Sequence, residues 1–449
     1  MKERETFKST IGIIFATAGS AIGLGNIWRF PYITSENGGA PFLIIFFIII
    51  FFIGIPLLFS ELLIGKTLRS NVWGAFRNFK LWKIIGIISI LASFTILAFY
   101  TTVAGWTMHY MFASLTKDYF NSNYVVYFEN FKNNGYVPLL WQIVFIILNS
   151  WIIIYGVRKG IERFAKILMP ILFFSLFLLL IRALTLENSI SGLKFYLQPD
   201  LSKVSSKTIL YALGQCFFSL SIGMGAMLTY GSYIDKTQNL FKISLATALS
   251  DFFIAFLAGL IIFPALFSFN LPPSQGAGLV FITFPIIFEK LPMGNIFGTI
   301  FFFLLFIAAL TSSISIFEVL ISTFIDELNL SRKKSTIILT LIVIVLGAFS
   351  TLSWSVFKDV NLNFSSVTET GVKKSFYIFD ILDFLASNIL LPLGALFIIL
   401  FSGYVLGKKI IKEELRLRNQ KIIFTFIFLI KYFIPIAIII IFLNCLGIV

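Results

Sequence analysis

The first long apolar segment, roughly residues 10–33, carries an interruption that an ordinary membrane-spanning helix does not tolerate. Gly19, Gly23 and Gly25 follow one another closely, and Asn26 and Arg29 come directly after them. Each glycine weakens a helix by about 1 kcal/mol relative to alanine, and an arginine in hydrocarbon costs about 2.5–3.5 kcal/mol. Because these penalties fall midway along the segment, we predict a helix that is broken near the centre of a bilayer.

Such a break has two chemical uses. Carbonyl oxygens released from helical hydrogen bonding can coordinate a cation, and the amides that begin the next half-helix favour an anion. The same glycines could instead form a packing face against a neighbouring helix, and the residues alone leave this alternative open.

The composition also indicates a membrane protein. Of the 449 residues, 58% are hydrophobic and 12% are charged, which excludes an ordinary soluble domain. We predict eleven transmembrane helices, each long enough to cross about 30 Å of hydrocarbon. Their predicted limits are 9–35, 41–68, 85–115, 139–156, 163–185, 208–234, 239–268, 295–326, 335–353, 377–404 and 422–446.

The net charge of +14 indicates topology rather than a nucleic-acid partner, because the basic residues lie between apolar segments. Most of them fall at the N-terminus and in alternate connections. We therefore predict an inner (plasma) membrane protein with a cytoplasmic N-terminus and, after eleven spans, an external C-terminus. Two separated cysteines and one histidine supply neither a Cys metal site nor a nucleophile–base pair, so no enzyme activity is expected.

A second span, 208–234, is interrupted in the same way, by Gln215, Ser219, Ser221, Gly223 and Gly225. The first and sixth spans each begin a group of five helices, and an odd number inverts the second group. Two broken helices at matching positions indicate a binding site near the midplane. We predict an all-α fold with one inverted repeat over 1–185, a second over 186–404, and a linker plus an extra helix over 405–449.

The eighth span contains three consecutive hydroxyl residues, Thr311, Ser312 and Ser313, shortly after Ala308. Hydroxyls in an apolar helix can bond back to their own backbone, or they can face a polar site. The residues alone leave both possibilities open.

The run Gly23-Leu24-Gly25-Asn26-Ile27-Trp28-Arg29-Phe30-Pro31 resembles the signature of the neurotransmitter:sodium symporter family, in its bacterial amino-acid branch. The resemblance covers nearly the whole chain, and 215–226 and 308–315 are further specific motifs. It implies two bound sodium ions. By resemblance, the first ion is held by Gly19, Ile22, Ala308, Thr311 and Ser312. The second is held by Ala21, Asn26, Ser219 and Asp251.

The resemblance also implies an amino-acid substrate. Its carboxylate would meet the amides of Leu24 and Gly25 and the Tyr100 hydroxyl, and its ammonium would meet backbone carbonyls of the two breaks. The residues expected around it are Ala21, Leu24, Gly25, Ile96, Tyr100, Phe218, Ser219, Ser221, Met224, Ser312 and Ile316. The side-chain pocket contains no charge, so we expect a neutral hydrophobic or aromatic substrate of the tyrosine, tryptophan or leucine class.

Two ion pairs resemble the gates of the family. Arg29 and Asp383 would close the outer side above Phe218. The apolar loop 274–283 is expected to fold over the cavity as an outer lid.

On the inner side, Arg4 and Asp326 would pair, with Phe7 and Tyr233 nearby. Two further intramembrane carboxylates, Glu61 and Glu318, are expected to be paired or protonated. The spacing of Gly160 and Pro170 resembles a motif at which the inner end of the fifth span unwinds, although a proline kink alone would also explain Pro170.

The positions that hold chloride in many animal members of the family are Phe46, Gln215, Ser219 and Ala255 here. Two of the four lack the hydroxyl that would donate to the anion, so we expect no chloride requirement. Asp251 lies one helical turn from Ala255 and offers a fixed negative charge instead.

The sequence therefore predicts sodium-coupled symport of neutral amino acids by alternating access. A proton-coupled carrier that uses Asp251, Glu61 or Glu318 is one alternative. A non-transporting amino-acid sensor with the same fold is the other.

Overall fold

The computed structural model describes residues 4–272, 278–361 and 376–445, and every regular element in these ranges is a helix. Within them, nine helices are long and apolar enough to cross a membrane, and ten if one bent pair counts as a single span. The nine are Ala40–Leu68, Lys80–Thr116, Tyr136–Ile153, Val157–Leu184, Leu240–Ser268, Gly294–Glu327, Arg332–Trp354, Ile378–Leu415 and Gln420–Asn444.

The bent pair is the first span. Helix Thr10–Ala21 and helix Gly25–Glu36 meet at 54°. Between them Ile22 leaves the helical region with ψ of 98°, and its N–H makes the last bond of the first half, 2.7 Å to the Ala18 carbonyl. The predicted break therefore lies within the glycine-rich run.

A second pair of helices, Ser206–Ser219 and Ala226–Ser232, is also separated by irregular backbone. Ser221, Gly223 and Gly225 have positive φ values of 53°, 91° and 82° in this segment. Glycine adopts this region without steric penalty, which explains two of the three residues. The interruption predicted for residues 215–226 is present here as a backbone feature.

Several connections contain more helix than the sequence suggested. Helix Tyr124–Asn133 lies in the predicted loop 116–138, and helix Ser189–Leu197 lies in the predicted loop 186–207. Within the predicted linker after residue 405, residues Gly407–Leu415 form a helix. Residues 279–283 of the predicted outer lid 274–283 are helical and lead into helix Phe284–Lys290, whereas its residues 274–277 lie outside the described residues.

The two inner helices Ala40–Leu68 and Ala226–Ser232 pack backbone against backbone. A Cβ atom on Gly65 would overlap the Leu228 carbonyl oxygen, and one on Gly231 would overlap the Leu62 carbonyl oxygen. Small residues of this kind allow helix axes in a membrane to approach closely. Glu61, fully buried on the same face, accepts the backbone N–H groups of Gly223 (3.0 Å) and Leu228 (3.3 Å).

Candidate functional site

Backbone carbonyls of the first break converge on the hydroxyl cluster of helix Gly294–Glu327. The Ser312 hydroxyl lies 3.3, 3.1 and 3.2 Å from the carbonyl oxygens of Gly19, Ser20 and Ile22. Thr311 packs against Gly19, since a Cβ atom on Gly19 would lie 3.2 Å from the Thr311 Cβ. The Thr311 hydroxyl itself donates to the carbonyls of Ile307 (3.0 Å) and Ala308 (3.2 Å).

The predicted ligands of the first ion are thus brought together: Gly19, Ile22, Ala308, Thr311 and Ser312. All of them offer neutral oxygen atoms. Neutral oxygen ligands suit a hard monovalent cation better than a divalent one.

A carboxylate lies at the centre of the second predicted group. Asp251 is fully buried, and Asn26 donates to its Oδ1 over 2.7 Å. The Ser219 hydroxyl lies 2.8 and 2.7 Å from its two oxygens. Asn26 Oδ1 in turn accepts the Gly23 N–H over 3.1 Å, which ties the cluster to the first break. Asn26, Ser219 and Asp251 therefore meet, and Ala21 ends the adjoining half-helix.

Three of the four positions that resemble a chloride site carry no hydroxyl. Phe46 and Ala255 are fully buried. Gln215 Nε2 donates to the Gly25 carbonyl over 3.2 Å, whereas its buried Oε1 has no hydrogen-bond partner among the described residues. A buried carboxylate with no cationic side chain beside it is strongly stabilised when a cation binds next to it.

A cavity of about 180 Å³ opens above the first break. It contains four of the predicted substrate residues, Leu24, Gly25, Tyr100 and Phe218. The Tyr100 hydroxyl lies 3.4 Å from the Leu24 N–H. The other predicted substrate residues are buried and do not line this cavity: Ala21, Ile96, Ser219, Ser221, Met224, Ser312 and Ile316.

Six lining residues were not predicted from the sequence: Trp28, Phe99, Val103, Phe379, Ser387 and Asn388. Val103 follows Tyr100 by one helical turn, and Asn388 is a polar residue in an otherwise apolar span. These two features of the sequence could have indicated Val103 and Asn388 as lining residues. No feature of the sequence indicates Phe379, because only the tertiary arrangement brings it to the cavity.

Phe218 lies between the site and the outer side. A Cβ atom on Gly25 would lie 2.7 Å from the Phe218 ring. The Arg29 guanidinium lies over the same ring in a cation–π contact, 4.8 Å from its centroid. Arg29 and Asp383, the predicted outer pair, both line the cavity, and the Ser387 hydroxyl donates to Asp383 over 3.0 Å.

The inner side is closed by several contacts of the N-terminal segment. Arg4 pairs with Asp326 over 2.6 Å and its guanidinium lies 5.1 Å from the Tyr233 ring centroid. Phe7 packs edge-on against Tyr230 and Tyr233, with ring centroids 5.7 and 6.2 Å apart.

Two further inner contacts concern predicted residues. Glu318 binds Arg332 through two contacts of 2.8 Å and accepts the Tyr233 hydroxyl over 2.7 Å, so this intramembrane carboxylate is paired. The fifth span is wound over its whole described length, Val157–Leu184, with Pro170 inside it.

Known proteins resemble this chain over most of its length. The sequence profile of the Sodium:neurotransmitter symporter family matches residues 4–123 and 116–448. An uncharacterized sodium-dependent transporter of Bacillus subtilis, YhdH, is 37% identical over 98% of this chain and 97% of its own. The rat sodium- and chloride-dependent GABA transporter 2 is 28% identical over 86% of this chain and 70% of its own.

A solved structure gives the same picture. The crystal structure of MhsT in complex with L-phenylalanine superimposes with a TM-score of 0.87. The two chains are 41% identical, and the match covers 99% of this chain and all of MhsT.

Proposed function

The chain belongs to the sodium:neurotransmitter symporter family, and we propose that it takes up neutral amino acids with large apolar or aromatic side chains. The Bacillus subtilis relative described above is a sodium-dependent transporter. Transport is driven by sodium and proceeds by alternating access. We propose a carrier and not an enzyme.

The observation that supports this proposal most directly is the meeting of the first helix break with the hydroxyls of helix Gly294–Glu327. The second break reaches the same place, because the Ser221 hydroxyl donates to the Ser20 carbonyl over 2.7 Å. In this proposal one sodium ion is held by Gly19, Ile22, Ala308, Thr311 and Ser312, and a second by Ala21, Asn26, Ser219 and Asp251. The Ser312 contacts of 3.1–3.3 Å are hydrogen bonds. A bound cation would replace them with shorter contacts between the metal ion and the oxygen atoms.

The substrate would bind between these ions and the cavity. Its carboxylate would meet the amides of Leu24 and Gly25, at the beginning of the second half-helix, where the dipole favours an anion. Tyr100 is close enough to share that carboxylate, and carbonyls of Ala21, Phe218 and Ser221 would take the ammonium. None of the residues proposed to surround the substrate carries a charged side chain, so an acidic or basic substrate would be left unpaired.

A binding panel tests the proposal. Purified protein is incubated with tritiated phenylalanine in sodium, and each of the twenty amino acids competes at equal concentration. Aromatic and branched amino acids should displace the tracer best. Stronger competition by glycine or glutamate would overturn the substrate assignment.

Coupling requires a second measurement. In proteoliposomes, uptake should stop when choline replaces sodium at fixed pH, whereas a proton-coupled carrier would continue. Counterflow of labelled substrate separates a transporter from a sensor, since a sensor binds substrate without exchanging it across the membrane.

The topology completes the proposal. Counting the pair Ser206–Ser219 and Ala226–Ser232 as a span gives eleven, with inverted repeats over 1–185 and 186–404 and an additional part over 405–449. The basic inner surface would be cytoplasmic and the C-terminus external, in the plasma membrane.

A further inference from the structure

The N-terminal segment is tied to the beginning of the fifth span by several hydrogen bonds. Glu5 accepts the Val157 N–H over 2.7 Å, and Arg158 donates to the Thr6 carbonyl over 2.7 Å and to its hydroxyl over 2.9 Å. One turn further along, Glu162 reaches the first half-helix itself.

Glu162 makes the innermost of these contacts. Its carboxylate accepts the Lys8 N–H over 2.7 Å and the Ser9 hydroxyl over 3.0 Å, immediately before helix Thr10–Ala21 begins. The Glu162 side chain is only 3% exposed, and it also pairs with Lys166 over 2.6 Å. A carboxylate next to the first amides of a helix is also favoured by the helix dipole.

The close approach depends on Gly12. A Cβ atom at this position would overlap the Glu162 carboxylate. Helix Thr10–Ala21 and the carboxylate therefore fit together only while position 12 has no side chain.

This helix carries Gly19 and Ala21 at its far end, which are proposed sodium ligands. Any movement of its inner end away from the fifth span would tilt those carbonyls as well. Thr17 lies on this helix between its inner end and the proposed sodium ligands. Both Thr17 and Thr247 of helix Leu240–Ser268 are buried, and their hydroxyls lie 2.7 Å apart.

We propose that Glu162 is a positioning residue for transport. Its carboxylate holds the first half-helix in the inner-closed position and thereby slows the release of sodium towards the inner side. This inference rests on the proposed function. It predicts that losing the charge, or blocking the approach at Gly12, opens the inner pathway in the presence of sodium.

The test uses Thr247→Cys as an accessibility probe in a background with Cys216→Ala and Cys445→Ala. In the full-length protein, sodium should slow labelling of this cysteine by a thiol reagent. Glu162→Gln and, independently, Gly12→Ala should each raise the labelling rate in sodium about tenfold, the fold-change expected when a charge-assisted hydrogen bond is lost. Combining the two substitutions should add little.

Lys166→Gln is the matched control. It removes the charge partner of Glu162 but leaves the contacts to Lys8 and Ser9, and Lys166 is 37% exposed, so the labelling rate should stay within about twofold of the parent. Size-exclusion profiles confirm that each variant is folded before labelling.

The outcomes are separable. If sodium does not protect Thr247→Cys in the parent, the proposed sodium coupling is wrong. If sodium protects the parent while Glu162→Gln and Gly12→Ala label at the parental rate, the role of Glu162 is wrong. An increase in Lys166→Gln as large as in Glu162→Gln would also contradict it, because the ion pair would then be the restraint.

Discussion

At the scale of single residues, the hydroxyls of helix Gly294–Glu327 divide into two groups. Ser312 faces the carbonyls of the first break, whereas the Ser313 hydroxyl donates to Asn149 over 2.6 Å and to the Leu310 carbonyl over 3.0 Å. Adjacent residues of one helix point in directions about 100° apart, so a single step in sequence separates a proposed ligand from a structural contact.

Replacing Thr311 with Val and Ser312 with Ala should abolish sodium-dependent binding of phenylalanine, because two oxygen ligands are removed. The measurement is tracer binding across a sodium titration. Ser313→Ala is the matched control, since it removes a buried hydroxyl from the same helix outside the proposed site, and its sodium affinity should remain close to that of the parent. Unchanged sodium affinity in the double variant would contradict the ligand assignment.

Asp251 allows a second prediction at this scale. We expect uptake by the parent to be equal in chloride and in gluconate, because in the proposed site the carboxylate would offset the charge of the cation. Asp251→Asn should weaken sodium binding at least about tenfold, as a charge-assisted contact is lost from a buried position.

Two results would overturn this reading of Asp251. One is strict chloride dependence of the parent. The other is an Asp251→Asn variant that remains fully active without chloride, because no charge would then be needed at this position. Asp359→Asn, at an exposed carboxylate outside the membrane spans, controls for loss of charge in general.

At the scale of elements, the second half of the first span and the broken sixth span meet through a ring and a glycine. Phe218 packs against Gly25 on one side and lies under Arg29 on the other. The ring can lie this close to the backbone only while position 25 has no Cβ.

Gly25→Ala should therefore displace the Phe218 ring and weaken phenylalanine binding about tenfold or more, because an added Cβ would lie 2.7 Å from a ring carbon. Competition binding at saturating sodium measures the effect. Gly214→Ala is the control, since no atom lies within 4 Å of the new Cβ and the position is on the neighbouring helix. Equal affinities in the two variants would show that Phe218 does not contribute to binding.

Some helices could be predicted from the sequence and others could not. Long apolar segments define the spans, and the density of glycine near Gly23 located the first break. Helices Tyr124–Asn133 and Ser189–Leu197 were missed because short, polar segments lack the length signal that a bilayer imposes. The helix Gly407–Leu415 in the predicted linker was not foreseen, although the buried Ile411 and Leu415 give the segment an apolar side.

The site divides similarly. Asn26, Ser219 and Asp251 were predicted from the resemblance to the symporter family, and the structure brings them together. Phe379 and Val103 were not, since an apolar residue in an apolar helix gives no sign of the cavity that it will line. The cavity depends on how distant helices pack, which periodicity alone does not specify.

At the scale of the whole molecule, transport requires that the two sides open in turn. The described structure has the inner side closed by Arg4 and Asp326 while a cavity remains above Phe218. Two sodium ions moving down a tenfold gradient and 100 mV would release roughly 7 kcal/mol, enough to break a few partly buried contacts in each cycle.

Arg4→Gln should shift the protein towards the inner-open state and weaken phenylalanine binding about five- to tenfold, because Arg4 is only 14% exposed and its pair is partly buried. The equilibrium dissociation constant at saturating sodium measures this shift. Arg77→Gln is the control: Arg77 pairs with Glu327 on the same surface but is 60% exposed, so binding should change little. Equal effects of the two variants would mean that surface charge, rather than this gate, controls the inner side.

The backbone contacts at Gly65 and Gly231 determine which parts of the molecule can move separately. Since no side chain cushions the two helices, Ala226–Ser232 cannot slide or rotate against Ala40–Leu68 without a clash of main-chain atoms. In the proposed transport cycle the pair would therefore move as one body, with hinges at its ends, at the irregular segment around Gly223 on one side and near Arg69 on the other. Inner opening would then be a rolling of this joined pair over its neighbours, with its internal contacts unchanged from one state to the next.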